Sequence, residues 1–211
     1  MTAGKREVIV RAATELFLRQ GYQATSTEQI AAAAAVSKQT VYSRFGDKES
    51  LFREIVLGVA ATAEAFAADL TASLADVSEA RDVAPVLRAL ARRYLAAVMD
   101  PQVLALRRLV IGEAARFPEV AAAYYERSPA MVLAALADGF ARLAGLGLLT
   151  VDDPRRAADD FAFLVLGRSL DHGMFHLPAT TPSDAEIGAA ADHAVDVFLA
   201  GVGVSAPSPG S

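Results

Sequence analysis

Residues 25–54, TSTEQIAAAAAVSKQTVYSRFGDKESLFRE, decide the architecture of this chain. The stretch predicts two short helices joined by a tight turn and then the start of a third. Ser26, followed by Gln29, is typical of a capping box at a helix start. Ser37 and Asp47 are suitable caps for the two helices that follow. The middle helix therefore carries hydrogen-bonding and cationic side chains on an otherwise apolar unit.

The helical pattern extends in both directions from this stretch. An apolar stripe predicts a first helix over residues 5–20, and Gly21 suits the left-handed end of that helix. A long fourth helix is predicted to begin near Lys48. Beyond it, helical spacing and proline positions predict helices at about 80–99, 102–116, 119–127, 130–146, 155–176 and 184–201. The expected fold class is all-α.

Composition narrows the class of protein. The chain has 211 residues, of which 54% are hydrophobic and 21% charged, as in an ordered globular protein. Cysteine is absent, which excludes disulfides and thiolate metal sites. We find no uninterrupted apolar run of about 18 residues, no secretory signal and no glycine-rich phosphate loop. We therefore expect a cytoplasmic protein with no cofactor and no membrane partner.

The net charge of −5 is unevenly distributed. Residues 1–50 hold seven Lys or Arg and five Asp or Glu, whereas the rest holds 13 basic and 20 acidic residues. This asymmetry indicates that the N-terminal part approaches phosphate and the larger part does not.

The polar residues of 25–54 have the chemistry needed to bind duplex DNA. Lys38, Gln39 and Thr40 lie in the first turn of the middle helix, from which side chains reach base edges in the major groove. Other residues suit phosphate contacts. The full predicted set is Ser26, Thr27, Ser37, Lys38, Gln39, Thr40, Tyr42, Ser43, Arg44 and Lys48. The same pattern also fits a three-helix unit with a solvated polar face and no nucleic-acid partner.

The stretch resembles the N-terminal domain of TetR/AcrR-type bacterial transcriptional regulators. The matching residues are Gly21-Tyr22, Thr25-Ser26, Ile30-Ala31, Val36-Ser37, Tyr42, Phe45, Lys48 and Leu51. One departure is Ala35, where the family usually has glycine, so the turn is strained if this residue needs a positive φ.

The resemblance implies a helix-turn-helix DNA-binding domain over residues 1–47, in which Lys38, Gln39, Thr40 and Ser43 contact bases. A helical domain for ligand binding and dimerisation would follow over 48–202. Residues 203–211 are expected to be a disordered tail. The implied function is that of a repressor that binds a palindromic operator as a homodimer and is released by a small organic effector.

Residues 106–129, LRRLVIGEAARFPEVAAAYYERSP, and residues 147–167, GLLTVDDPRRAADDFAFLVLG, resemble the AefR-like subtype of the C-terminal domain. In the family the sensing pocket lies among the middle helices. By that resemblance the expected ligand-binding residues are Met99, Arg107, Glu113, Phe117, Tyr124, Met131, Phe163 and Arg168. For each of them, core packing or a surface salt bridge is the alternative.

The resemblance also implies that the last two long helices pair with their copies in a second subunit. The expected interface residues are Phe161, Leu164, Val165, His172, Ala194, Val197 and Phe198; the alternative is that these stripes face the core of the subunit itself. His172 and His176 are four residues apart, with His193 on the next helix. They could form half of a metal site, but we expect interface packing or a polar pocket wall and no metal.

Two other classes of function compete with a DNA-binding regulator. An enzyme is disfavoured because the chain has no cysteine, no G-x-S-x-G motif and histidine only near its C-terminus. A helical small-molecule-binding or protein-interaction module without DNA binding is the remaining alternative.

Overall fold

The computed structural model describes residues 4–58, 60–175 and 182–202, apart from the side chains of residues 60 and 61. The described residues form eleven α-helices. These are α1 Lys5–Ala24, α2 Thr27–Ala33, α3 Lys38–Phe45, α4 Lys48–Gly58, α5 Ala60–Ala75, α6 Ala80–Val98, α7 Pro101–Gly112, α8 Pro118–Arg127, α9 Pro129–Gly145, α10 Pro154–Phe175 and α11 Asp184–Val202. His176 and the predicted tail lie outside the described residues.

The helix boundaries correct the sequence-based expectation in two ways. Four helices begin on the proline itself and not after it, because proline is well suited to the first helical position, where its missing N–H donor costs nothing. These prolines are Pro101, Pro118, Pro129 and Pro154. The helix predicted over 102–116 ends earlier, at Gly112, and the chain turns through residues 113–117 before α8.

The chain divides into two compact units with separate cores. Of the described residues, the first unit holds 4–58, 60–61 and 105–127, and the second holds 62–104, 128–175 and 182–202. Packing thus places α8 and most of α7 with the N-terminal helices. The two packing units divide after residue 61 and not after residue 47. The predicted DNA-binding domain over residues 1–47 therefore stays a prediction.

The core of the first unit is built around four aromatic rings. The Phe52 ring lies 5.7 Å from that of Phe17 and 5.0 Å from that of Tyr22. Phe117, from the turn before α8, lies 5.0 Å from Tyr22 and 5.4 Å from Phe52. All four side chains are buried, so α1, α4 and the turn before α8 are held in one packed cluster.

The core of the second unit joins α9, α10 and α11. Phe140, Phe161 and Phe198 form a triangle of rings with centroids 5.2 to 5.6 Å apart. Ion pairs fix α11 to α6, with Arg88 to Asp196 and Arg92 to Asp192 both at 2.6 Å.

Lys48–Ala75, covering α4 and α5, is long and apolar enough to cross a membrane by length and composition alone. The expectation from the sequence rested only on uninterrupted apolar runs, whereas the many alanines of this stretch raise its mean hydropathy despite interrupting polar residues. Leu51 and Phe52 are buried in the first core, and Leu70 and Leu74 in the second. Phe66 of the same stretch is partly buried and packs against the second core.

Candidate nucleic-acid interface

Helix α2 begins at a complete capping box, as the sequence predicts. The Ser26 hydroxyl accepts a hydrogen bond from the Gln29 backbone N–H at 3.2 Å, and the Gln29 side chain accepts one from the Ser26 N–H at 2.7 Å. Gln20 ties this cap to α1, because its Nε2 donates to the Gln29 side-chain oxygen at 3.2 Å as well as to the Ala24 carbonyl at 3.0 Å. The start of α2 is therefore fixed relative to α1.

The turn between α2 and α3 depends on a left-handed alanine. Ala35 has φ of 52°, which confirms the positive φ considered from the sequence. The chain then reverses through hydrogen bonds from Ala35 N to Ala32 O at 3.1 Å and from Val36 N to Ala31 O at 3.0 Å. The left-handed conformation is unfavourable for any residue with a Cβ atom.

Replacing Ala35 with glycine is expected to stabilise the protein by about 1 kcal/mol, because glycine adopts a positive φ without strain. The thermal midpoint should rise by roughly 2–4 °C for a chain of this size, measured by circular dichroism. The matched control is Ala32→Gly within α2, which should lower the midpoint because glycine costs about 1 kcal/mol in a helix. A lower midpoint for Ala35→Gly would contradict the assigned turn.

Helix α3 is anchored on one side and exposed on the other. Val41 and Phe45 are buried in the first core. The Ser37 hydroxyl caps the helix by accepting from the Thr40 N–H at 3.1 Å, and it also bonds the Thr40 hydroxyl at 2.8 Å. The side-chain oxygens of Ser37 and Thr40 are therefore already hydrogen-bonded to each other at the start of the helix.

The exposed side of α3 carries Lys38, Gln39, Tyr42, Ser43 and Arg44. The Tyr42 side chain is 41% exposed, and the Ser43 hydroxyl donates to the Thr40 carbonyl at 3.0 Å. Gln39 and Arg44 form no side-chain hydrogen bond or ion pair with any residue that the structure describes. The structure therefore brings five predicted residues together on one accessible helix face.

Two predicted DNA contacts occupy different environments. Thr27 is only 9% exposed at the start of α2, so it offers little surface to DNA, and its contact stays a prediction. Lys48 is partly buried: its Nζ donates to the carbonyls of Tyr22 at 2.9 Å and Thr25 at 2.8 Å. Burial, with the Arg116 guanidinium nearby, lowers the pKa of Lys48. Lys48 thus ties the end of α1 to α4, and its phosphate contact stays a prediction.

Lys38 has a partner that the sequence pattern did not indicate. Glu28 of α2 and Lys38 of α3 form an exposed ion pair with a hydrogen bond from Nζ to Oε1. The only available signal was the ten-residue spacing between opposite charges across the turn, which by itself does not predict contact.

The residues predicted to line an effector pocket do not share one compact unit. Arg107, Glu113, Phe117 and Tyr124 belong to the first unit, and Met99, Met131, Phe163 and Arg168 to the second. Phe117 and Tyr124 pack in the first core and Phe163 is 72% exposed, and contact of all eight residues with an effector stays a prediction. Glu113 accepts from the Gln23 side chain at 3.3 Å. The Nε atom of Arg107 is buried with no hydrogen-bond partner among the described residues.

The predicted dimer stripe divides between the interior and the surface of the second unit. Four of its members are buried in the core, Phe161, Val165, Ala194 and Phe198, although Phe198 also forms part of the floor of a surface groove. Leu164 and Val197 are each 42% exposed, and His172 is exposed. With Phe163, Leu164 and Val197 line a surface groove of about 530 Å³ between α10 and α11. The outward apolar face thus includes Leu164 and Val197 of the predicted stripe together with Phe163, and its role in a dimer stays a prediction.

No three His, Cys, Asp or Glu side chains among residues 4–58, 62–175 and 182–202 are grouped so that they could hold a metal ion. The suggested pairing of His172 with His176 falls partly outside the described residues.

Comparison with known proteins places this arrangement among transcriptional regulators. The family model "Bacterial regulatory proteins, tetR family" matches residues 9–55. The model "AefR-like transcriptional repressor, C-terminal domain" matches residues 85–202, more than half of the chain.

Individual relatives agree with these matches. A TetR-family transcriptional regulator from Mesorhizobium loti is 38% identical, with 95% of this chain and 97% of that chain covered and a TM-score of 0.85. The flavonoid-responsive regulator FrrA is 31% identical over 96% of this chain and 98% of its own, with a TM-score of 0.67. The regulator TcmR of Streptomyces glaucescens is 32% identical over 126 residues, which span 60% of this chain and 54% of TcmR.

Proposed function

We propose that this chain, which belongs to the TetR family of bacterial regulatory proteins, is a transcriptional repressor that binds a palindromic operator as a homodimer. The observation that carries the proposal is the exposed face of α3, whose polar side chains stand on a helix anchored by buried Val41 and Phe45. A helix mounted in this way can enter the major groove while its neighbours contact phosphates.

The proposal assigns contacts by the chemistry of each exposed residue. Base edges are contacted by Lys38, Gln39, Thr40 and Ser43. Phosphates are contacted by Tyr42, Arg44 and Lys48, with Ser26 and Ser37 at the edges of the surface. Only base contacts carry sequence information, and phosphate contacts fix the register. Two copies of α3 are needed because one helix contacts few base pairs, and two-fold symmetry doubles the site.

We further propose that a small organic effector releases the repressor from DNA. FrrA is a flavonoid-responsive regulator by its name, which supports an organic effector for this chain. Arg107 is the favoured contact, because its buried Nε lacks a partner among the described residues and buried polar atoms are normally hydrogen-bonded. An effector acts only if it binds one dimer geometry better than the other.

Family members are transcriptional regulators, so we propose no catalytic activity and no cofactor. We propose a cytoplasmic location, where the operator is accessible.

The function is tested by titrating the purified protein against labelled DNA from upstream of its own gene and against scrambled DNA, at two salt concentrations. We expect specific binding by two protomers per site and a steep loss of affinity with salt, because each subunit neutralises several phosphates. The complex then serves to screen for compounds that release the DNA. If affinity for a site selected from random sequence equals that for scrambled DNA, the chain is not a sequence-specific regulator.

Two substitutions on α3 should separate base contacts from phosphate contacts. Gln39→Ala is expected to cost about 1–3 kcal/mol per half-site on the operator and little on scrambled DNA. Arg44→Ala should weaken binding to both DNAs and reduce the slope of log affinity against log salt by about two per dimer. The two variants serve as controls for each other, and equal effects of both variants on both DNAs would contradict the assignment.

A further inference from the structure

The first turn of α3 does not present a free cation. Lys38 Nζ donates a hydrogen bond to Glu28 Oε1 and lies 5.6 Å from the centre of the Tyr42 ring. Both charged side chains are well exposed, 49% for Lys38 and 60% for Glu28. The hydrogen bond from Lys38 lowers the pKa of Glu28, and the same bond raises the pKa of Lys38. Both groups are therefore charged near neutral pH, and the pair as a whole is neutral.

A neutral pair contributes little to the sequence-independent attraction that free lysines have for phosphate. The carboxylate has a second effect, because it is repelled by phosphate oxygens and by base acceptors. Because Lys38 is paired with Glu28, it contributes little to sequence-independent DNA binding. The Glu28 carboxylate favours DNA sites that place a hydrogen-bond donor next to the carboxylate.

We propose that Glu28 is a specificity-determining residue, and that Glu28 and Lys38 contact DNA as a pair that recognises a G·C base pair in the major groove. This inference rests on the proposed DNA-binding function. It differs from the assignment of Lys38 alone, because the base pair is selected jointly by an ammonium donor and a carboxylate acceptor on two different helices.

The donor and acceptor pattern of a G·C pair matches the side-chain pair. An ammonium group has three donors; one is given to Glu28, and the other two fit the adjacent N7 and O6 acceptors of guanine. The free lone pairs of the carboxylate fit the N4 amino group of cytosine. Guanine O6 and cytosine N4 are hydrogen-bonded to each other at about 2.9 Å, nearly the usual length of an ammonium–carboxylate bond. An A·T pair does not place two adjacent acceptors beside the amino donor.

The test is selection of binding sites from a randomised DNA library by the full-length protein and its variants. Wild type should select one position per half-site at which G·C is preferred over A·T by about tenfold or more. Glu28→Ala and Lys38→Met should each relax that same position at least threefold, and the double variant should relax it no further. Glu15→Ala is the matched control, because Glu15 is an exposed acid of α1 with no ion pair among the described residues; it should select the wild-type site.

Other outcomes overturn the inference in distinguishable ways. If Glu28→Ala tightens binding to selected and scrambled DNA by the same factor and keeps the base preference, Glu28 acts only by repulsion. If the two single variants relax different positions, the residues do not act as a pair. If wild type selects no sequence at all, the proposed function fails and this inference fails with it. Thermal unfolding should be unchanged in these variants, since both side chains are exposed.

Discussion

Substituting glutamate for Leu164 is expected to convert the protein from a dimer to a monomer and to reduce its affinity for operator DNA about 100-fold or more. Leu164 is 42% exposed on α10, beside Phe163 and Val197, on the outward apolar face of the second unit. Burying a carboxylate against such a face without a partner costs several kcal/mol. Loss of the dimer removes the gain from binding two half-sites at once. Analytical ultracentrifugation and DNA titration measure the two effects.

The matched control is Leu146→Glu, because Leu146 is a leucine of similar exposure, 52%, at the end of α9 in the same unit. This variant should stay dimeric and bind DNA as wild type does. A Leu164→Glu protein that remains a dimer with full affinity would show that the subunits associate through another face. Neither variant should unfold, since both side chains already face solvent.

Features set by residues close in sequence were predicted well. The caps at Ser26, Ser37 and Asp47 are all formed, the last through a hydrogen bond of 2.6 Å from Ser50 N to Asp47 Oδ1. The positive φ of Ala35 was considered only because the resembling family usually has glycine at this position. Each cap depends on a few consecutive residues, so the information needed to predict it is local.

Features set by packing between distant residues were not predictable in this way. Helix α10 carries apolar residues almost all round between 161 and 166, so periodicity does not decide which of them faces the core. Phe161 and Val165 are buried, whereas Phe163 and Leu164 are exposed. Glu28 of α2 pairs with Lys38 of α3, and Lys48 of α4 donates to the carbonyls of Tyr22 and Thr25 at the end of α1. Both contacts join different helices. None of these contacts follows from spacing along one helix.

Replacing Phe117 with alanine is expected to destabilise the first unit by about 3–5 kcal/mol, the usual range for a buried phenylalanine. The sequence suggested that this ring lines an effector pocket. In the structure it is 4% exposed and packs against Tyr22 and Phe52, from α1 and α4. These two helices flank α2 and α3, so loss of the ring should weaken DNA binding in parallel with stability. Urea unfolding followed by circular dichroism measures the first effect.

Two further substitutions separate a core role from a ligand-binding role for Phe117. Phe117→Leu keeps most of the volume and should cost less than about 1.5 kcal/mol. Tyr125→Ala removes an aromatic ring of α8 that is 56% exposed and should change stability by no more than about 0.5 kcal/mol. If Phe117→Ala unfolds at the wild-type urea midpoint and changes only the response to an effector, the ring lines a binding site. A lower urea midpoint would show that residues 105–127 stabilise the fold of the first unit, because Phe117 is one of their side chains buried in its core.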